Sequence, residues 1–424
     1  MMVGGSAVRV TGTGIVSSIG HDVATFGQSL AAGKSGVRRL TRETAPPLAV
    51  PIGAEIEDFS FQTALRAVSD IPDALTDAAA RGARRAPFAV QASVIAALQA
   101  WAQARLPGAI PPERIALVVA GHNTTQNYQY GLYPEFLQNP EYLSPRYAVQ
   151  VMDSNQVGVL SEIFGIKGEG FITGGASASG NVGVIQAARL IQAGLADACL
   201  VVGVVADLSP MEMQGFHALG AMGAKRFRDY PEKACRPFDS QHEGFIYGQA
   251  AACLVLEAAE SADARGIASL AAILGGAIRL HATSSPSPDL DGEAEAMRAA
   301  LRQSGAAAGD IDYLNTHGTS SPLGDRTEIA AIEQVFGDHF PNVWLNATKG
   351  LTGHCLNSAG VVEIIATVIQ LREGFIHPNL NLETPIHDRA RFCGAAAVRQ
   401  PIHVAMSNAF GFGGINTSIV LRRT

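Results

Sequence analysis

Two glycine-bracketed segments, one in each half of the chain, echo one another and constrain the fold more than any other feature. A helix-like run from Asn181 to Ala193 follows a small-residue turn at Gly180 and closes on Gly194, and a second, Val361 to Glu373, follows Gly360 and closes on Gly374. The glycines of each pair stand 14 positions apart, and glycine is a common helix terminator. Val182, Val184 and Ile185 match Val362, Ile364 and Ile365 in apolar character. A helix that is apolar on nearly every side belongs in an interior, not on a surface. Strand-rich runs follow the first helix (Ala198 to Val205) and precede the second (Val343 to Asn346), so strand and helix alternate. The pattern predicts a duplicated α/β architecture with helices buried between sheets, the halves meeting near residues 257–266.

At 424 residues the chain is long for one ordinary core, which agrees with two fused units. A composition 47% hydrophobic and only 16% charged supplies a large core and argues against disorder. The net charge of −7 leaves no basic surplus for nucleic acid, and neither a zinc-binding spacing nor a Walker loop is present. Cys199, Cys235, Cys253, Cys355 and Cys393 are odd in number and without close pairs, a pattern that suits a reducing cytosol. Met1 to Ser6 lacks a charged leader followed by an apolar stretch, and no apolar run reaches about 18 residues. The expectation is a soluble cytoplasmic protein with no membrane span. Locally, residues 7–16 read as a strand running into a loop, Phe88 to Ala104 as a helix begun by Pro87, and Ile115 to Ala120 as a strand. Residues 121–153, rich in Asn, Gln, Tyr and Pro, read as an elaborated loop over the core.

Four stretches carry the chemistry. In Phe171-Ile172-Thr173-Gly174-Gly175-Ala176-Ser177-Ala178-Ser179-Gly180 a short strand, a turn of small residues and a helix follow one another, which puts Ser177 at a helix N-terminus. Free N–H groups and the helix dipole there would strongly lower a thiol pKa. A serine gains far less, since its hydroxyl needs a base to become a nucleophile; the plain alternative for Ser177 is a helix cap. His317 lies in Asn315-Thr316-His317-Gly318-Thr319 and His354 ends Lys349-Gly350-Leu351-Thr352-Gly353-His354, both loop-forming runs after strands. Two neutral imidazoles donating N–H bonds to one oxygen could hold an enolate, each well-aimed donor contributing roughly 3 kcal/mol. The fourth stretch is the glycine-dense Asn408-Ala409-Phe410-Gly411-Phe412-Gly413-Gly414-Ile415-Asn416.

In this order the four stretches resemble the β-ketoacyl-acyl carrier protein synthases of the elongating type, from Val10-Thr11-Gly12 to Asn416. The resemblance implies a thiolase-like five-layer αβαβα fold with duplicated halves, here 1–257 and 258–424, and a homodimer. It puts Ser177 where the family has its acyl-accepting cysteine. It assigns His317 and His354 to the thioester carbonyl of malonyl-carrier protein and to the enolate formed as CO₂ departs. Lys349 is implied to sit in an ionic network, with Glu328 and Asp325 as the matching carboxylates. Gln249, in Gly248-Gln249-Ala250, stands where the family often has an acid. The Phe412 turn would supply the second oxyanion-hole N–H and a swinging aromatic gate, while Phe410 either meets substrate or packs the core. Thr319 and Ser321 match residues that bind the phosphopantetheine arm. That arm is supplied by an acyl carrier protein, and the resemblance implies no metal and no cofactor bound by the enzyme itself. An acidic carrier needs a basic landing area, for which the candidates are Arg81, Arg84 and Arg85, together with Lys225, Arg226 and Arg228.

Gly175-Ala176-Ser177-Ala178-Ser179-Gly180 resembles the Cys-to-Ser ketosynthases of polyketide β-branching cassettes, which implies decarboxylation of malonyl-acyl carrier protein to the acetyl form. Three other readings stand beside it. One is a condensing synthase with an engineered Cys-to-Ser change; another is a non-catalytic partner subunit resembling a chain-length factor. The third is a serine hydrolase, against which Ser179 occupies the last glycine position of the G-x-S-x-G elbow.

Overall fold

The computed structural model describes residues 7–41, 44, 47–106, 108–223 and 225–424, so the expectation placed on Met1 to Ser6 lies outside the described residues. Ten strands build the framework: β1 (Val8–Ser17), β2 (Ile115–Ala120), β3 (Gly170–Thr173), β4 (Ala198–Gly203), β5 (Ala250–Ala258), β6 (Ala271–Leu280), β7 (Tyr313–Asn315), β8 (Trp344–Asn346), β9 (Val404–Gly411) and β10 (Ile415–Arg422). They are ordered β3-β2-β4-β5-β1-β6-β10-β9-β7-β8, with the two-residue strand Arg391–Phe392 beyond β8. Read inward from the two sides, the halves are β3-β2-β4-β5-β1 and β8-β7-β9-β10-β6, the same order with five added to each label. Directions repeat as well. β2 runs parallel to β3 and β4, as β7 does to β8 and β9, and the other pairs are antiparallel. The halves join where β1 meets β6.

Helices fill three layers around these two five-stranded units. α1 (Phe88–Gln103) packs on the outer face of the first, with Trp101, Leu117 and Val119 in its core, and α3 (Leu290–Ser304) and α4 (Pro322–Phe336) cover the outer face of the second. Between the two lie α2 (Ser179–Gln192) and α5 (Ala359–Glu373), whose side chains meet both sheets in one continuous core. Every α5 residue from Ala359 to Leu371 is buried, which accounts for a sequence apolar on all sides. This is the five-layer αβαβα arrangement of the thiolase-like folds.

The echo in the sequence is a contact in space. A Cβ placed on Gly180 would lie 2.6 Å from Val361 N, and one on Gly360 would lie 2.6 Å from Asn181 N. The two central helices therefore cross backbone to backbone at their first turns. Each is preceded by a 3₁₀ turn, Ala176–Ala178 and Leu356–Ser358, whose first residue is left-handed, with φ of 48° at Ala176 and 51° at Leu356.

Residues 121–153 differ from expectation, for they are largely helical: Gln126–Gln138, Tyr147–Gln150 and a 3₁₀ turn between them. Gly131 and Pro134 interrupt the first helix in sequence, and its Tyr130, Tyr133, Phe136 and Leu137 are exposed, so no buried stripe marks its period. All five cysteines are buried free thiols. No helix among the described residues is long and apolar enough to cross a membrane. Replacing Gly180 with alanine must push the central helices apart against main chain that cannot yield, and overpacking of this kind costs about 1–3 kcal/mol. Denaturant unfolding of Gly180→Ala against the parent is expected to show a loss of that size.

Candidate active site

The crossing of α2 and α5 brings Ser177 and His354 together, because each lies in the turn leading into one of the two helices. Ser177 caps nothing; His354 Nε2 is 2.8 Å from its Oγ. The backbone N–H of Leu356 donates to His354 Nδ1 at 3.3 Å, so the ring proton resides on Nε2 and points at the hydroxyl. A nitrogen that is donating to the serine cannot also take its proton, and Ser177 has no general base in His354.

His317 faces the same space from the end of β7. Its ring centre is 5.6 Å from that of His354, nearly perpendicular, and 5.5 Å from Phe410. Lys349, 1% exposed, directs its ammonium at the His317 carbonyl and at Glu363, each at 2.5 Å, and at His317 Nδ1 at 3.4 Å. An ammonium has three donors and no acceptor, so Nδ1 must accept and His317 too carries its proton on Nε2. Burial first, then the charge of Lys349, holds the pKa of both imidazoles well below the ordinary value; for His317 the neighbouring His354 adds to the effect. Both rings are neutral N–H donors.

Ser177, His317, His354, Phe410, Phe412, Thr319, Ser321 and Glu328 line one cavity of about 520 Å³. The turn that bears Phe412 is pressed onto the turn that bears Ser177: a Cβ on Gly411 would fall 2.2 Å from Gly175 O. No cysteine lines the cavity. Cys355, beside His354, is buried with its sulfur turned back toward Thr352 O and Gly353 O, and burial pushes its thiol up to about 12. It cannot stand in for a thiolate at position 177.

The β-ketoacyl synthase family matches in two parts, its N-terminal domain over residues 6–262 and its C-terminal domain over 270–383. The chain belongs to the β-ketoacyl synthase family. It is 37% identical to the polyketide biosynthesis malonyl-ACP decarboxylase PksF of Bacillus subtilis strain 168 over 98% of this chain and 96% of that protein. It is also 33% identical to 3-oxoacyl-[acyl-carrier-protein] synthase 2 of Coxiella burnetii over 98% of each. Among solved structures it resembles the ishigamide ketosynthase/chain length factor, with a TM-score of 0.86 and 28% identity over 99% of this chain and all of that one. A β-ketoacyl synthase from Burkholderia phymatum STM815 is similar too, with a TM-score of 0.85 and 27% identity over the same shares.

Within this β-ketoacyl synthase fold the carboxylates differ from expectation. The partner of Lys349 is Glu363, whereas Glu328 accepts the N–H groups of His317 and Gly318, both at 2.7 Å, and so shapes the histidine loop. Asp325 is further removed, accepting from Phe238 N, Ser320 N and His242. Gln249 lies outside this network and braces Ile56 N and Tyr247, so the missing acid there leaves Lys349 paired. Glu363 had a signal in the sequence, a lone charge inside the apolar run Val361-Val362-Glu363-Ile364-Ile365. Burial raises both Glu363 and Glu328 to about 7. Thr319 and Ser321 share a hydrogen bond of 2.8 Å at the cavity wall, and Phe410 both packs and lines the cavity. Phe412 is 40% exposed, its ring 6.5 Å from that of Phe216.

Arg81, Arg84, Arg85, Lys225, Arg226 and Arg228 are all on the surface. Arg226 is tied to Glu243; the other five have no ion-pair partner among the described residues. Arg85 connects to the cavity wall indirectly: its carbonyl accepts from Gln150, which also accepts from Tyr128, in the helix that begins at Gln126.

The depressed imidazoles make opposite contributions to those of the raised carboxyls. An unfolded histidine takes a proton near 6.5 that His317 and His354 refuse, so their contribution to stability is lost as pH falls below that value. Glu328 and Glu363 hold protons in the folded state that the unfolded chain releases near 4.5, so theirs is lost as pH rises through about 7. Nitrogen NMR of histidine-labelled protein, assigned with His317→Ala and His354→Ala, is expected to show both rings neutral and protonated at Nε2 from pH 8 to 5.5. A protonation midpoint inside that window for either ring would contradict the site as described.

Proposed function

We propose that this protein decarboxylates malonyl-acyl carrier protein to acetyl-acyl carrier protein, in polyketide biosynthesis, and does not condense. One observation carries the proposal: the Nε2–H of His354 is directed at the hydroxyl of residue 177, with the second neutral imidazole, His317, 5.6 Å away in the same cavity, which no cysteine lines. The phosphopantetheine arm, brought by the carrier, would pass Thr319 and Ser321 and place the malonyl thioester oxygen at the two imidazoles. As the bond to the carboxylate breaks, its electron pair moves into an enolate whose oxygen both rings hold. Neutral donors suit this step, because a charged imidazolium would also bind the departing carboxylate in the ground state, and only stabilisation gained in the transition state speeds the reaction. The N–H groups of Ser177 and Phe412 are the remaining candidates for holding a carbonyl oxygen.

Condensation needs an acyl-enzyme, and the hydroxyl of Ser177 is left without a base to form one. The kinship with a decarboxylase of similar length supports the same reading. A silent partner subunit is not favoured, since it has no use for two oriented imidazoles and a buried lysine that fixes one of them. Self-association as a homodimer completes the proposal: β3 ends the sheet with one unpaired edge, and the helix Gln126–Gln138 exposes Tyr133, Phe136 and Leu137.

Mass spectrometry of a malonyl-loaded carrier protein should show loss of CO₂ and an acetyl arm on incubation with this protein, and no acetoacetyl product when an acyl donor is added. Loss of one well-aimed donor costs about 10²-fold in rate, so His317→Ala and His354→Ala should each slow CO₂ release by that order while Ser177→Ala retains it. Acetoacetyl product from the parent protein would reject the reading. For docking, Arg84→Glu with Arg85→Glu is expected to weaken carrier binding, with a smaller loss at high salt because screening already removes part of the attraction; unchanged affinity would exclude this patch.

A further inference from the structure

A buried acid in the cavity wall has no role in the chemistry described so far. Glu293 lies in the first turn of α3, is 1% exposed and lines the cavity that holds Ser177, His317 and His354. Its Oε2 has no hydrogen-bond partner among the described residues. A carboxylate cannot be left buried and unpaired cheaply, whereas a carboxylic acid can. Burial, followed by the charges of Glu328, Asp289 and Asp325, holds its pKa well above the ordinary range.

Its neighbours fix where it stands. Met297, one helical turn further along α3, shares the amide of Asn408 with Glu328, at 3.4 and 3.3 Å, and Glu328 is the residue that holds the His317 loop. Beside Glu293, a Cβ on Gly292 would come within 2.6 Å of Asn416 Nδ2, two residues beyond the Phe412 turn. Glu293 therefore sits between the support of His317 and the base of the Phe412 turn, a proton-bearing group facing the reaction cavity.

We propose that Glu293 is the proton donor that ends the reaction, an assignment that rests on the decarboxylation reading. The electron pair left by the broken carbon–carboxylate bond forms a new Cα–H bond with the Glu293 proton. The resulting carboxylate regains a proton from water, so that malonyl thioester and one proton give acetyl thioester and CO₂. Glu328 also lines the cavity, but its two oxygens are turned to the N–H groups of His317 and Gly318, and the imidazoles are unsuited to the task. His317 and His354 are already neutral, so surrendering Nε2–H would leave an imidazolate, and both are engaged with the enolate oxygen. A condensing enzyme must keep acids away from its carbanion; a dedicated decarboxylase requires one.

The test separates carbon–carbon cleavage from proton delivery. With malonyl-pantetheine, [¹³C]bicarbonate and carbonic anhydrase, acetyl formation reports the whole reaction. Entry of ¹³C into the malonyl carboxyl reports an enolate that recaptures CO₂ before it is protonated. Glu293→Gln preserves shape and neutrality, and general acid catalysis contributes about 10²-fold or more. Acetyl formation should therefore fall by about 10²-fold while ¹³C exchange persists, raising the exchange-to-acetyl ratio, and Glu293→Asp should recover part of the acetyl rate. Acetyl formation within threefold of the parent would overturn the assignment. So would an equal fall in both signals, which would mark a structural role. Absence of both signals in the parent protein is a distinct result that defeats the decarboxylation reading itself, and the donor role with it.

Discussion

The contact between Gly180 and Gly360 determines where everything else at the site can be. Two helices meet backbone to backbone only where neither carries a side chain, and here that point is the first turn of each. The turns that feed them are thereby brought side by side, one ending in Ser177's short helical turn and the other following His354. The 2.8 Å contact between those residues follows from the helix crossing. Duplication thus has a chemical consequence: two helix N-termini converge on one cavity, and both dipoles favour negative charge there. The residue that occupies the place of Ser177 in the second turn is Asn357, which also lines the cavity and ties His122 to it through a 2.9 Å hydrogen bond.

The charges are arranged so that the two imidazole donors carry none. Lys349 is the buried cation, and its three bonds are spent on Glu363 and on the carbonyl and Nδ1 of His317. It fixes a tautomer and, by its charge, keeps both rings from protonating. Glu328 uses its oxygens on main-chain N–H groups, which orients the His317 loop without neutralising the lysine. Lys349, Glu363, Glu328, His317 and His354 are thus each matched to a fixed partner, whereas Glu293 Oε2 has none among the described residues and Glu293 faces the cavity.

Much of this was legible in the chain. The glycine echo foretold the central helices, since a helix apolar on all sides with glycine at its start has few places to go, and the order of the four motifs led to Ser177, His317, His354 and Lys349. Residues 121–153 differ from expectation because a helix with no buried residue leaves no inward stripe, and Gly131 and Pro134 resemble loop punctuation. The identity of the lysine's partner was misassigned for another reason. The resemblance implied Glu328 and Asp325, but a buried ion pair is chosen by the three-dimensional crossing of helices, and Glu363 comes from α5. Glu293 had no local signal at all: in Leu290-Asp291-Gly292-Glu293-Ala294-Glu295 it looks like any acid at a helix start, and only the fold turns it inward.

Serine at position 177 changes the energetics of the donors as well as removing a nucleophile. In the resting site the Nε2–H of His354 is already satisfied by a hydroxyl, a better acceptor than a thiol. An incoming thioester carbonyl exchanges one neutral acceptor for another and gains little in the ground state. In the proposed decarboxylation, charge accumulates on that oxygen as the carboxylate leaves and the same bond becomes charge-assisted, which makes it roughly twice as strong. The gain arises almost wholly in the transition state, where it accelerates the reaction instead of tightening substrate binding. On the proposed reaction, a site with serine at position 177 is in this sense tuned for breaking the carbon–carboxylate bond, and what it requires next is a proton and not an acyl group.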